Sequence, residues 1–224
     1  MDRDELAAWL RLALAPGVGN GLARRLLAAF GLPQQVFGQP AAALEQIAKS
    51  QVAALTTPPP GLDTQLDATW EWLRTPAGAP RQIVTLADPA YPPGLLRTED
   101  PPLMLYVAGE LPSTWPTGIA VVGSRNPTAQ GLSNARDFAR SFAQAGLTVV
   151  SGLALGIDGA AHEGALAGAA PEQLATIAVV GTGMDRVYPR QHLELAHEIA
   201  HRRDLHKLPR RRENAEGLAH VRKV

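Results

Sequence analysis

An α/β fold, a parallel sheet with helices on both faces preceded by a small all-α domain, is predicted by three observations. Before residue 75 the spacing of apolar residues is helical throughout. After residue 80 short apolar segments alternate with amphipathic ones. Three of those apolar segments run directly into glycine-rich turns. Strands alternating with helices build βαβ units, and so a parallel sheet covered by its own crossovers.

The helical part comes first. Leu6, Leu10 and Leu14 recur at four-residue spacing, and Leu22, Leu26, Ala29 and Phe30 form a second apolar stripe. Pro16-Gly17-Val18-Gly19-Asn20-Gly21 between them breaks one helix and starts the next. Shorter helical patterns follow around 40–54 and 63–74, separated by Thr56-Thr57-Pro58-Pro59-Pro60-Gly61. Residues 1–75 therefore read as one domain, and 75–80 (Thr-Pro-Ala-Gly-Ala-Pro) as a linker.

The α/β part spans 80–200. Strands are expected at Ile83–Leu86, Leu103–Val107, Ile119–Val122, Leu147–Val150 and Thr176–Val180. A proline-rich loop, Pro89 to Pro102, joins the first two. Helices are expected at about 130–145, with Leu132, Ala135, Phe138, Ala139 and Phe142 on one face, and at 157–169 and 191–200.

Composition limits the function classes. The 224 residues are 46% hydrophobic and 19% charged, with no Cys and a formal net charge of zero. Disulfides, thiolate metal sites and cysteine nucleophiles are excluded. No apolar run approaches the roughly 18 residues of a membrane span, and the charged start lacks a signal segment, so a cytoplasmic address is expected. Zero net charge argues against a strongly electrostatic polyanion binder. Yet residues 201–224 hold eight Lys or Arg against three acids, leaving thirteen basic and eighteen acidic residues in 1–200. This basic tail reads most simply as a solvated end.

The chemistry lies at three strand ends. Ile119–Val122 runs into Gly123-Ser124-Arg125-Asn126, Leu147–Val150 into Ser151-Gly152-Leu153-Ala154-Leu155-Gly156-Ile157-Asp158, and Thr176–Val180 into Gly181-Thr182-Gly183. In an open parallel sheet the carboxyl ends of the strands line the ligand crevice, where helix N-termini present free N–H groups. Glycine lets the backbone turn there and lie against a phosphate. The first loop is not G-x-G-x-x-G, and no P-loop is present. Arg125, two residues past the first glycine, offers a planar fork for a phosphate, or alternatively a surface ion pair. Asp158 and His162, four apart, share a helix face; they suit an acid–base or metal pair, or a helix-dipole partner and a hydrogen-bonded core histidine. Near the N-terminus, Gly17 and Gly19 followed by Arg24 and Arg25 resemble a helix-hairpin-helix turn, a secondary DNA contact or else a packing or partner element.

Five blocks occur in a telling order: Tyr91-Pro-Pro-x-Leu95; Pro101-Pro-Leu-x-Leu-Tyr-x-x-Gly109; Ala120-Val-Val-Gly-Ser-Arg125; Ser151-Gly-x-Ala-x-Gly-Ile-Asp-x-x-Ala-His162-x-x-Ala-Leu166; and Gly181-Thr-Gly-x-Asp185-x-x-Tyr188-Pro189. Together they resemble the DNA-processing protein A (DprA/Smf) family over roughly residues 1–200, the Ser151–Leu166 block most specifically. The resemblance implies a sterile-alpha-motif-like helical domain followed by an extended Rossmann-like domain. It implies non-catalytic binding of incoming single-stranded DNA in natural transformation, displacement of single-strand-binding protein, loading of the RecA recombinase, and dimerisation through the Rossmann-like domain. Carried over by position, Gly123, Ser124, Arg125, Asn126, Ser151, Gly152, Gly156 and Asp158 would line the DNA groove, with Gly181, Thr182 and Gly183 beside them. No cofactor, metal or catalytic residue is implied. After Ala200 the chain departs from the family: the tail matches the family's Phe-Pro motif only faintly at Leu208-Pro209-Arg210-Arg211, and the rest of the sheet is not recognisable. A sheet so shortened would leave apolar surface open and favour self-association.

Two other readings remain. An enzyme acting on nucleoside monophosphates, as in phosphoribohydrolases on related folds, would need a carboxylate from Asp158, Glu163 or Asp185. A protein-interaction scaffold would use the helical domain and leave the groove idle.

Overall fold

The computed structural model describes residues 1–183, 186–201 and 221–223. The basic-tail reading of 201–224 therefore lies largely outside the described residues, as does Asp185. The chain divides into two compact units, Met1–Thr75 with Ile83–Leu105, and Pro76–Gln82 with Tyr106–Lys223. In this division Pro76–Gln82 groups with the second unit and Ile83–Leu105 with the helices.

In the first unit α1 (Arg3–Leu14), α2 (Asn20–Phe30), α3 (Pro33–Phe37), α4 (Ala41–Ala48), α5 (Val52–Thr56) and α6 (Leu62–Arg74) enclose a core of Leu6, Trp9, Leu10, Leu12, Leu26, Val36, Leu44 and Leu55. Asp2 caps α1 by accepting from the Glu5 N–H at 2.8 Å. The α1–α2 turn needs Gly17, whose φ is +75° and whose Cα lies against the Gln51 side chain.

The proline-rich segment is pinned in the same unit. Asp88 Oδ2 accepts from the Thr85 N–H and hydroxyl at 2.6 and 2.8 Å, and the buried Tyr91 hydroxyl donates to Pro102 O at 2.8 Å. Burial pushes the Tyr91 phenol up to about 12, against a smaller opposing pull from Arg24. A pKa raised on folding means stability present below the ordinary phenol pKa of 10.0 and lost as pH climbs towards 12. Urea denaturation across that window is expected to show the loss, and Tyr91→Phe, about 1 kcal/mol less stable at neutral pH, is expected to lack the Tyr91 share of it.

The chain passes between the units along β1 (Arg81–Thr85) and β2 (Met104–Ala108), neighbouring strands. The second unit then runs β3 (Gly118–Ala120), α8 (Ala129–Gln144), β4 (Thr148–Ser151), α9 (Ile157–Gly168), β5 (Thr176–Val180) and α10 (Leu193–His201), after the short α7 (Pro93–Leu96) of the first. β3, β4 and β5 are parallel neighbours, in register at Ile119↔Val149, Val150↔Ile177 and Ser151↔Ala178. β6 (Val221–Lys223), which the sequence pattern does not announce, pairs parallel with β5.

The mixed α/β architecture is as predicted, with one difference in layering. Ala139, Ala143, Val149, Ala161 and Ala165 form one buried cluster, and Leu153, Ala178, Val180 and Ala196 another. Strand parity and register place Val149, Ala178 and Val180 on one face, so the described helices α8, α9 and α10 all cover that face. The cause is topological: β3, β4 and β5 advance in one direction across the sheet, and right-handed crossovers then stay on one side. The other face carries the half-buried Val150 and Ile177 and the exposed Val179.

The α8 face also differs. Phe138, expected in the core, is 61% exposed and stacks on Phe142, while Ala135, Ala139 and Ala143 form the buried spine. A Cβ added to Gly164 of α9 would stand 2.2 Å from Arg136 O, and one on Gly168 2.4 Å from Arg140 O. The two helices meet backbone to backbone, leaving no room for an aromatic ring between them. No helix among the described residues is long and apolar enough to cross a membrane.

Candidate functional site

Parallel pairing of β3, β4 and β5 brings their carboxyl ends to one edge of the sheet. The first loop leaves that edge after the Val121 N–H has donated to Val150 O at 3.0 Å. Ser124 Oγ then accepts from the Asn126 N–H at 3.0 Å, a side-chain turn that holds Arg125 at the tip. Gly123 is required by Ile157, whose Cγ1 would lie 2.7 Å from an added Cβ. Thr128 closes the loop by capping α8, accepting from the Gly131 N–H at 3.1 Å.

The second loop is held from three sides. The Ser151 hydroxyl donates to Val121 O at 2.7 Å, tying the end of β4 to the first loop. Asp158 Oδ2 accepts from the Gly152 and Ala154 N–H groups at 3.2 and 3.4 Å. His192 Nδ1 lies 2.9 Å from Leu153 O. That last tie supports a strained residue, because Leu153 is fully buried with φ +58°, a conformation costing about 1 kcal/mol or more outside glycine. His192 also packs on α9, where an added Cβ on Gly159 would stand 2.6 Å from its Cε1.

The two loops touch at Gly156. Its φ is +81°, and an added Cβ would stand 2.3 Å from Ser124 O and 2.9 Å from the Arg125 carbonyl carbon. Beside it the Ile157 N–H donates to Ser124 O at 3.1 Å. The N–H groups of Ser124, Arg125 and Gly156 donate to none of the described residues, so open amides gather where the loops meet. Arg125 is exposed and forms no ion pair with any described residue. The third loop begins at the exposed Gly181, continues through Thr182, whose Oγ1 is buried without a described hydrogen-bond partner, and turns where the Arg186 N–H donates to Gly183 O at 3.4 Å.

Asp158 and His162 share a helix but not a partner. Asp158 is 8% exposed and its carboxylate faces the loop amides. His162 is fully buried, with Nδ1 2.7 Å from Thr176 Oγ1. Since the Thr176 hydroxyl gives its proton to Val149 O at 2.7 Å, it accepts from His162 Nδ1–H. One residue shapes the second loop and the other straps α9 to the sheet. The described residues contain no cluster of three or more His, Cys, Asp or Glu suited to a metal ion.

In the first unit Arg24 is committed locally. Its Nη1 donates to Asp100 Oδ1 at 2.9 Å and Pro101 O at 2.8 Å, and Nη2 to Glu99 O at 3.3 Å, with Asn20 Nδ2 on Asp100 Oδ2 at 2.9 Å. Gly19 caps α2 in open surroundings and Arg25 is exposed. His192 is the positioning residue that sequence spacing does not reveal; its partners Leu153 and Gly159 lie more than thirty residues away along the chain.

Comparison with known proteins agrees with the arrangement of motifs. The family model described as DNA recombination-mediator protein A matches residues 82–206, more than half of the chain. The chain is 32% identical over 207 residues to protein Smf of Synechocystis, an alignment covering 89% of this chain and 50% of that protein. It is 40% identical over 125 residues to protein Smf of Escherichia coli, covering 56% of this chain and 32% of the other. The crystal structure of DNA processing protein A from Streptococcus pneumoniae superposes with a TM-score of 0.61 at 26% identity, covering 89% of this chain and 65% of that one. The chain thus spans half, or less, of the length of these two Smf relatives.

Proposed function

Because the chain belongs to the DNA recombination-mediator protein A family, we propose that it is a non-catalytic DNA-processing protein which holds single-stranded DNA along the carboxyl edge of β3, β4 and β5. One observation carries the reading: Gly156 closes on the Ser124 carbonyl, so two glycine-rich loops present together the exposed Arg125 and amides that donate to none of the described residues. Such a set matches a sugar–phosphate chain, which is recognised by N–H donors and a planar cation without reference to sequence. Gly123, Ser124, Arg125, Asn126, Ser151, Gly152, Gly156 and Asp158 shape the groove, and Gly181, Thr182 and Gly183 extend it. Asp158 and Ser151 act through the backbone they hold.

We extend the proposal to a wider role of the kind the family resemblance implies. The protein shields incoming single strands in the cytoplasm during natural transformation, takes over from single-strand-binding protein, and passes the strand to the RecA recombinase as a homodimer. The half-buried Val150 and Ile177 and the exposed Val179, on the face opposite α8, α9 and α10, give a second copy apolar surface to cover. Hydrolysis of a nucleotide fits less well at the two described candidate carboxylates: Asp158 is bonded to two amides, and Glu163 is paired with Arg136 Nε at 2.6 Å.

The test compares single- and double-stranded oligonucleotides at about 50 and 200 mM salt. Arg125→Ala is expected to weaken single-strand binding roughly tenfold irrespective of sequence, and to lower the logarithmic salt slope by about 0.7, the value for one lost phosphate contact on a single strand. Preference for the duplex, an unchanged affinity in the variant, or release of free base from a nucleoside monophosphate would overturn the reading.

A further inference from the structure

Each of the three strand ends carries one exposed apolar or aromatic side chain beside its glycines. Val122 is 73% exposed at the mouth of the first, Leu155 39% exposed in the second, and Tyr188 68% exposed where the third turns into the short helix Arg190–His192. These are three of only eight large hydrophobic side chains exposed to this degree among the described residues. Amides and an arginine suffice for phosphate; apolar surface beside them does not serve that purpose and costs free energy in water. It does suit the flat face of a nucleobase, which stacks on aromatic rings whatever its identity.

Tyr188 is held for that task by its neighbours. Val187 packs against the cluster of Leu153, Ala178, Val180 and Ala196, and the buried Pro189 accepts from the His192 N–H at 3.0 Å. With inward residues on both sides, the tyrosine ring is directed outward at little entropic cost.

We infer that Tyr188 is a stacking platform for one base of the bound strand, so that the site reads base faces as well as phosphates. This rests on the single-strand reading above. The test measures binding of the full chain, Tyr188→Ala and Tyr188→Phe to an oligothymidylate of about 20 nucleotides and to an abasic backbone of equal length. The unsubstituted chain is expected to prefer the base-bearing strand. Tyr188→Ala is expected to lose roughly tenfold on that strand and almost nothing on the abasic one, with the salt slope unchanged, while Tyr188→Phe keeps affinity within about twofold. Equal loss on both strands, or no loss on either, would overturn the stacking role and leave phosphate binding standing. Binding of neither strand by the unsubstituted chain would overturn both.

Discussion

Gly156→Ala is expected to weaken single-strand binding by well over tenfold and to lower stability by about 2–4 kcal/mol. Two costs combine. A φ of +81° is left-handed space that strains any residue with a Cβ, at about 1–3 kcal/mol. The added carbon would also stand 2.3 Å from Ser124 O, a backbone atom that can move only by dragging the first loop and Arg125 with it. The Ile157 N–H bond to Ser124 O then lengthens, and the amides gathered at the junction separate. Denaturant melts and fluorescence anisotropy with a labelled strand measure the two effects. Gly181→Ala is the control: its Cβ meets nothing within 4 Å and its φ is not positive, so its folding stability is expected to hold within about 0.5 kcal/mol.

Gly164→Ala is expected to destabilise the fold by a net amount of about 2 kcal/mol or more. Two effects oppose each other at this site. Alanine in a helix interior gains about 1 kcal/mol over glycine from propensity alone. Against it stands a Cβ placed 2.2 Å from Arg136 O and 2.8 Å from Arg136 Cα, both backbone atoms of α8. Accommodating it requires the helices to part, loosening Ala139, Ala143, Ala161 and Ala165 at once. Overpacking against rigid backbone costs about 3 kcal/mol or more, and wins. Urea denaturation showing Gly164→Ala to be stabilised would mean that α8 and α9 do not meet as described.

Much of this was legible in the sequence because the informative residues are local. The compact apolar strand Thr176–Val180 is found where expected, and the glycine runs after residues 122, 150 and 180 do follow adjacent parallel strands. What sequence could not show depends on distant contacts. Phe138 falls on the same helical stripe as Ala135 and Ala139, yet it is excluded because Gly164 and Gly168 draw the neighbouring helix too close. Arg24 follows a hairpin-like turn as a DNA-contacting arginine would, but its guanidinium is taken by Asp100 and the carbonyls of Glu99 and Pro101, some seventy-five residues on. Asp158 presents the same spacing to His162 whether the pair is catalytic or structural; only the positions of Gly152, Ala154 and Thr176 assign each its work. The strand Val221–Lys223 has no alternating pattern of its own and gains its register from β5.

Amide hydrogen exchange with and without a saturating single strand addresses the groove most directly, because the proposed ligand contacts are backbone N–H groups. Slowed exchange at Ser124, Arg125 and Gly156, extending to Gly181–Gly183, is the result expected, with the Pro16–Gly19 turn unaffected. Protection confined to that turn, or spread over residues away from the three loops, would place the strand elsewhere on the molecule.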